Sequence, residues 1–230
     1  MELQAVKTDR LYVKVADQLT RLIVEGVFAV GGRLPSERDL ADQLKVSRPT
    51  IREAMIALEL SGIIEIRTGS GIYVRKKPAR LELQDQGVGP FEILESRLLI
   101  ETQVCGLAAS RITSTQLAEL EAVLVIMEQA QANCSSSEAS DWEFHRLIAE
   151  ATQNTALVSI VNWLWELRAE SGLSQAFVAR LEQQGIHPSI SEHRMILDAL
   201  RSGDSGMARQ AMHDHLTRAT EAAAHYFDEK

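Results

Sequence analysis

Asp141 and His145 stand four residues apart, a spacing that sets both side chains on one helical face about one turn from each other. Beside them Phe144, Ile148 and Ala151 mark an apolar stripe, so the pair borders a core. His193 interrupts a second stripe formed by Ile190, Leu197 and Leu200. His215 interrupts a third, Ala208, Met212, Ala219 and Ala222. Any one of these histidines alone matches a core imidazole satisfied by a hydrogen bond. Together, three imidazoles and one carboxylate pointing inward from three helices form a borderline-soft donor set. It suits Zn²⁺ first, with Ni²⁺ or Mn²⁺ also possible, and can leave coordination positions open to water or a ligand. His187, His213 and His225 fall outside any stripe and are expected in solvent.

A second group of residues carries a different chemistry. Leu34-Pro35-Ser36-Glu37-Arg38-Asp39-Leu40, followed by Val46-Ser47-Arg48-Pro49-Thr50-Ile51-Arg52-Glu53-Ala54, reads as two short helices joined by a tight connection. The second helix opens with Ser47, Arg48, Thr50 and Arg52. Its first N–H groups can take a phosphate, and an Arg can reach a guanine edge with two donors at once. Double-stranded DNA is the partner this chemistry expects.

A third feature is the stripe Leu94, Arg97, Glu101, Val104 and Ala108, two of whose members are charged. It admits two readings: an Arg97–Glu101 ion pair at the edge of a core, or an Arg97 that clamps the carboxylate of a small molecule with its planar fork.

The elements that must position these residues follow from periodicity and stop signals. Val15, Leu19, Leu22 and Ile23 recur at helical spacing and Gly26 ends the run. Ser36 and Ser47 are N-caps for the next two helices. The period then changes to two: Ile64-Glu65-Ile66-Arg67 and Ile72-Tyr73-Val74 flank Thr68-Gly69-Ser70-Gly71, a β-hairpin. Three helices and a hairpin make a winged helix-turn-helix over residues 1–76. Residues 77–90 read as a linker. From Phe91 the pattern is helical, with breaks near 110–114, 133–139, 153–154, 172–188 and 202–205. The expectation is a mainly α protein whose residues 91–230 form an antiparallel bundle of about six helices.

The overall charge of −8 argues against a nucleic-acid binder until the chain is divided. Residues 1–80 hold 14 Lys and Arg against 10 Asp and Glu, whereas residues 81–230 hold 10 against 22. A basic module joined to an acidic one is the asymmetry expected when only the first touches a polyanion. No apolar run approaches the roughly 18 residues that span a bilayer, and no signal peptide precedes the first amphipathic segment. Cys105 and Cys134 lack metal-ligand spacing and are expected as reduced thiols of a cytoplasmic protein.

These motifs resemble a known family. Leu34-Pro-Ser-Glu-Arg, Val46-Ser-Arg-Pro-Thr-Ile-Arg-Glu-Ala and the wing Ile66-Arg-Thr-Gly-Ser-Gly-Ile-Tyr-Val are similar to a GntR-superfamily DNA-binding domain. The C-terminal half resembles the FadR subfamily with its FCD-type effector domain. That likeness rests on Glu95-Ser-Arg97 with Glu101, Asp141-Trp-Glu-Phe-His145, Ala149-Glu-Ala-Thr-Gln-Asn154, Glu192-His193 and His213-Asp-His215-Leu. It implies a homodimeric transcription regulator, usually a repressor, released from a pseudo-palindromic operator by a small organic or sugar acid. Carried over residue by residue, it places DNA contacts at Arg38, Ser47, Arg48, Thr50, Arg52, Thr68 and Gly69. It makes Asp141, His145, His193 and His215 the metal ligands and sets Arg97 and Glu101 by the effector. The segment Gly89–Arg97 is similar to that of hexuronate-pathway repressors. Pro49 departs from the family, because several relatives have a hydroxyl residue there. Two other functions fit the donor set: a repressor for which the ion itself is the signal, and a metal-dependent hydrolase or lyase. The second lacks a clearly placed general base.

Overall fold

The computed structural model describes residues 10–78, 84–133 and 138–227. Cys134, the Ser135–Ser137 loop and the middle of the expected linker, residues 79–83, lie outside the described residues. The described chain forms two compact units. One gathers the residues up to Glu92 with Ser171–Phe177 and the segment from Ala224; the other comprises Ile93–Glu170 and Val178–Ala223.

The first unit contains α1 (Leu11–Val24), α2 (Glu37–Leu44), α3 (Arg48–Leu60), β1 (Ile64–Arg67) and β2 (Gly71–Val74). Both α1 and α2 pack on α3, which buries Leu19, Ile23, Ile51, Met55 and Leu58. Ser36 Oγ accepts from Asp39 N at the start of α2, and Ser47 Oγ from Thr50 N at the start of α3. Each cap satisfies an N–H that has no partner inside its own helix. Pro49 lies in the first turn of α3, where a missing N–H costs nothing. The strands pair antiparallel in the register Ile64↔Val74 to Arg67↔Gly71. The chain before α2 joins β2 on its other edge, with Leu34 N donating to Ile72 O and Val74 N to Gly32 O. Gly69 in the wing turn adopts a φ of +78°, a region that L side chains rarely occupy.

Aromatic side chains from distant parts of the chain complete this unit. Phe91 and Phe177 lie 5.6 Å apart between ring centres, and Phe177 and Tyr226 5.7 Å. Tyr226 and Phe227 sit in a 3₁₀ turn, His225–Phe227; the Tyr226 hydroxyl donates to Glu59 Oε2 at 2.7 Å.

The remaining helices are α4 (Pro90–Ala109), α5 (Ser114–Ala132), α6 (Glu138–Ala151), α7 (Thr155–Glu170), α8 (Gly172–Gln183), α9 (Ile190–Ser202) and α10 (Ser205–Ala224). Seven helices therefore stand where about six are expected from the sequence. The additional one, α8, occupies the stretch read as a break. Its Leu173 and Phe177, four residues apart and fully buried, give the segment an apolar face worth folding into a helix. In the second unit α5 packs on α6 and α9, and α6 on α7. Their shared core includes Leu120, Leu124, Met127, Phe144, Ile148 and Leu197. Thr113 and Gln116 form a reciprocal capping box at the start of α5.

Candidate metal centre and nucleic-acid interface

Asp141 and His145 lie one turn apart on α6, His193 on the first turn of α9, and His215 in the middle of α10. All four are buried, and one ligand atom from each falls within 4.8 Å of the others. The three rings converge: the centres of His193 and His215 are 4.5 Å apart, and those of His145 and His215 5.5 Å. All four residues named from sequence thus meet at one point.

Each imidazole is also held from behind. His193 Nδ1 lies 2.8 Å from the Ser189 carbonyl oxygen and His215 Nδ1 3.0 Å from Glu192 Oε2. His145 Nδ1 is in contact with Glu101 Oε2. With Nδ1 of His193 and of His215 at hydrogen-bond distance from an outer oxygen, their Nε2 lone pairs are left for the centre, the tautomer that metal-bound histidines adopt. His145 Nε2 is buried and has no hydrogen-bond partner among the described residues. His193 Nε2 lies 2.9 Å from Asp141 Oδ1, so this ring has an oxygen acceptor at both nitrogens. A divalent cation in place of the Nε2 proton resolves that arrangement. The donor set and its surroundings fit such an ion.

The electrostatics agree. Burial favours the neutral form of His215 and lowers it to about 4, despite the Glu192 carboxylate beside it. Burial alone would raise Asp141, but its hydrogen bond to His193 and the nearby positive groups hold it well below the usual carboxylate range. Glu101 is likewise held at about 2, because Arg97 and His145 outweigh the burial that would raise it. A neutral His215 beside an ionised Asp141 is what binding of a cation requires of these two groups.

Glu101, expected beside the effector, accepts from Arg97 Nε at 2.7 Å through Oε1, and its Oε2 is in contact with His145 Nδ1. It stands behind His145, and Arg97 is anchored by it. The Arg97–Glu101 ion pair is present, and Arg97 Nη2 is buried without a partner among the described residues. The Arg97 guanidinium lies 4.1 Å from the ring centre of Trp165, and that of Arg168 4.9 Å from the same ring. Burial, then the nearby Arg97 charge, push the Arg168 guanidinium below its ordinary value. Ser189, Trp165 and Arg168 are not marked by the sequence, and Glu192 enters it only through the motif Glu192-His193. Glu192 adjoins His193, and Trp165 and Arg168 share a helical face at i, i+3. Nothing local tells which face of α7 turns inward. His187, His213 and His225 are exposed.

In the first unit, Arg38, Ser47, Arg48 and Thr68 are exposed, and Thr50 and Gly69 are partly so. Glu37 of α2 accepts from Arg48 Nε at 2.7 Å and from Arg52 Nε at 2.7 Å. The two arginines differ in burial: the Arg48 side chain is 55% exposed and that of Arg52 10%. Arg52 also lies over the Phe91 and Phe227 rings, at 5.1 and 5.8 Å. Its guanidinium is thus committed inside the protein, while Arg48 faces outward. Thr68 Oγ1 donates to the Tyr226 carbonyl at 3.2 Å, so the wing threonine is also engaged.

Comparison with known proteins agrees with both units. Residues 11–74 match the family described as bacterial regulatory proteins, gntR family, and residues 92–218 match the FCD domain. The chain is 36% identical to the Exu regulon transcriptional regulator of Escherichia coli K12, over 90% of this chain and 82% of that one. It is 32% identical to the Uxu operon regulator of Haemophilus influenzae, over 90% of this chain and 80% of that one. The solved structure of E. coli McbR/YncC shares the fold, with a TM-score of 0.50 at 22% identity over 96% of this chain and all of the other. No helix among the described residues is long and apolar enough to cross a membrane. Basic helix-turn-helix, wing and helical C-terminal domain together place the chain in the GntR family of DNA-binding transcription regulators with an FCD domain, and not among enzymes.

Proposed function

We propose that this regulator is a homodimeric repressor whose hold on a pseudo-palindromic operator is controlled by a small carboxylate-bearing effector. The acid binds at a divalent ion, Zn²⁺ first and Ni²⁺ or Mn²⁺ as alternatives, held by Asp141, His145, His193 and His215. One observation carries this reading: His193 and His215 each have Nδ1 at an outer oxygen, His145 Nδ1 touches Glu101, and one ligand atom from each ring lies within 4.8 Å of the others and of an Asp141 oxygen. A bound ion would supply Lewis acidity and positive charge for carboxylate and hydroxyl oxygens. Arg97 stands beside it with an unused N–H, and Glu101 fixes its orientation. The Exu and Uxu names of the relatives support a hexuronate or related sugar acid.

On the DNA side, Arg48 would read base edges, with Arg38, Ser47, Thr50, Thr68 and Gly69 at the backbone and wing. Arg52 would support Arg48 by sharing Glu37. Two copies would set their α3 helices about one DNA turn apart. To act as a switch, the acid must favour one arrangement of the protein over the other by about 1–3 kcal/mol.

The test is operator binding by fluorescence anisotropy on a fragment selected from random-sequence DNA. Zn²⁺-loaded and chelator-stripped protein are compared, with and without D-glucuronate and D-galacturonate. Release by an acid only in the loaded protein is the expected result. Release or capture that follows the ion alone would make the ion the signal.

A further inference from the structure

A divalent ion accounts for the lone pairs of the buried cluster but not for its donors. The Trp165 indole Nε1–H and Arg97 Nη2 are both buried and have no hydrogen-bond partner among the described residues. Leaving such donors unmade costs free energy comparable to a lost hydrogen bond each, and a cation at the histidines cannot relieve it. Of the nearby carboxylates, Glu101 accepts from Arg97 through Oε1 and touches His145 through Oε2, and Asp141 lies against His193, with Arg168 Nη1 at 3.9 Å. Both guanidiniums stack on the one ring that carries the free N–H. Two guanidiniums and two unspent donors thus gather around a single side chain; Arg168, partly exposed, also meets Glu138 at 3.4 Å.

We propose that Trp165 and Arg168 are specificity-determining residues for the effector. The indole N–H and Arg97 Nη2 donate to oxygens of a carboxylate-bearing ligand, and Arg168 supplies the second charge that selects the acid over the neutral sugar. The proposal rests on the acid-effector reading above and adds residues that neither the motif nor the donor set indicates. Trp165 acts here through its N–H as well as its ring. The phenylalanine variant removes the donor while keeping an aromatic face for Arg97.

The experiment uses the full chain loaded with Zn²⁺ and titrated calorimetrically with D-galacturonate, D-glucuronate and, as the neutral control, D-galactose. Trp165→Phe should weaken binding of the acid about tenfold or more with Zn²⁺ content unchanged, as expected for one hydrogen bond to a charged group. Arg168→Gln should weaken the acid in the same direction and narrow its advantage over galactose, and Arg168→Lys should restore part of that advantage. A second readout avoids any variant at the site. Trp142 and Trp163 are both exposed, so the Trp142→Phe, Trp163→Phe protein reports Trp165 alone, and its emission should change when acid binds. Wild-type acid affinity in Trp165→Phe, or Trp165 emission unmoved at saturating acid, overturns the proposal and leaves the metal-anchored effector reading standing. Failure of both acids to bind the Zn²⁺-loaded wild type overturns that reading and this one with it.

Discussion

Glu192 Oε2 lies 3.0 Å from His215 Nδ1, so a carboxylate at the start of α9 sets the tautomer of a histidine on α10. The same residue contacts Arg218, 3.3 Å from its other oxygen. Glu192 is thus itself oriented, which matters because outer partners of metal-bound histidines tune ring position and basicity. Glu192→Gln should lower Zn²⁺ affinity by about 10–100-fold, measured by competition with a chromogenic chelator. An unchanged affinity would mean that the pair is merely structural.

Acid should weaken the metal-free fold in a defined window. The folded state holds His215 at about 4, below the ordinary 6.5, so it favours the neutral ring. That contribution is complete above about 6.5 and is lost as pH falls toward 4, because the unfolded chain binds the proton first. Glu101, held at about 2 against 4.5, adds a second loss at lower pH. Urea denaturation of chelator-treated protein at pH 7.5, 5.5 and 4.5 should show falling stability, of order 1–3 kcal/mol across the first window. His215→Asn should flatten the slope between pH 6.5 and 4.

At the DNA face, Arg48→Ala should reduce specific operator affinity by about 10–100-fold, the cost of one good base contact, and leave metal content untouched. Glu37→Gln is the more informative partner. It frees Arg48 but also removes the counter-charge of the buried Arg52, so it should lower both thermal stability and operator affinity. If anisotropy titrations find Arg48→Ala equal to wild type, α3 is not the reading helix.

The C-terminal turn should be needed by the DNA-binding unit. Tyr226 and Phe227 are buried, and they meet Phe177, Glu59 and the Arg52 guanidinium. Phe227→Ala should cost about 3–5 kcal/mol of stability, as for other buried aromatic truncations. Chemical denaturation checks the value; a change below about 1 kcal/mol would mean that the turn is dispensable.

Local rules in the chain were enough for much of this architecture. Ser36 and Ser47 announce α2 and α3 because a hydroxyl can satisfy an orphan N–H only at a helix start, and the change of period after Ser61-Gly62 marks the wing. Asp141, His145, His193 and His215 were legible as a set because the first two border an apolar stripe and the other two interrupt one each, and a stripe reports the buried face whatever it packs against. Tertiary structure decided what lies behind and beside them. That Glu101 and Glu192 hold imidazoles, that Arg52 is enclosed while Arg48 is exposed, and that Trp165 carries two guanidiniums all depend on neighbours distant in sequence. The α8 helix and the aromatic turn at Tyr226-Phe227 escaped sequence reading for the same reason. Periodicity encodes which face of a helix is buried, whereas the identity of the partner is set only when separate helices pack.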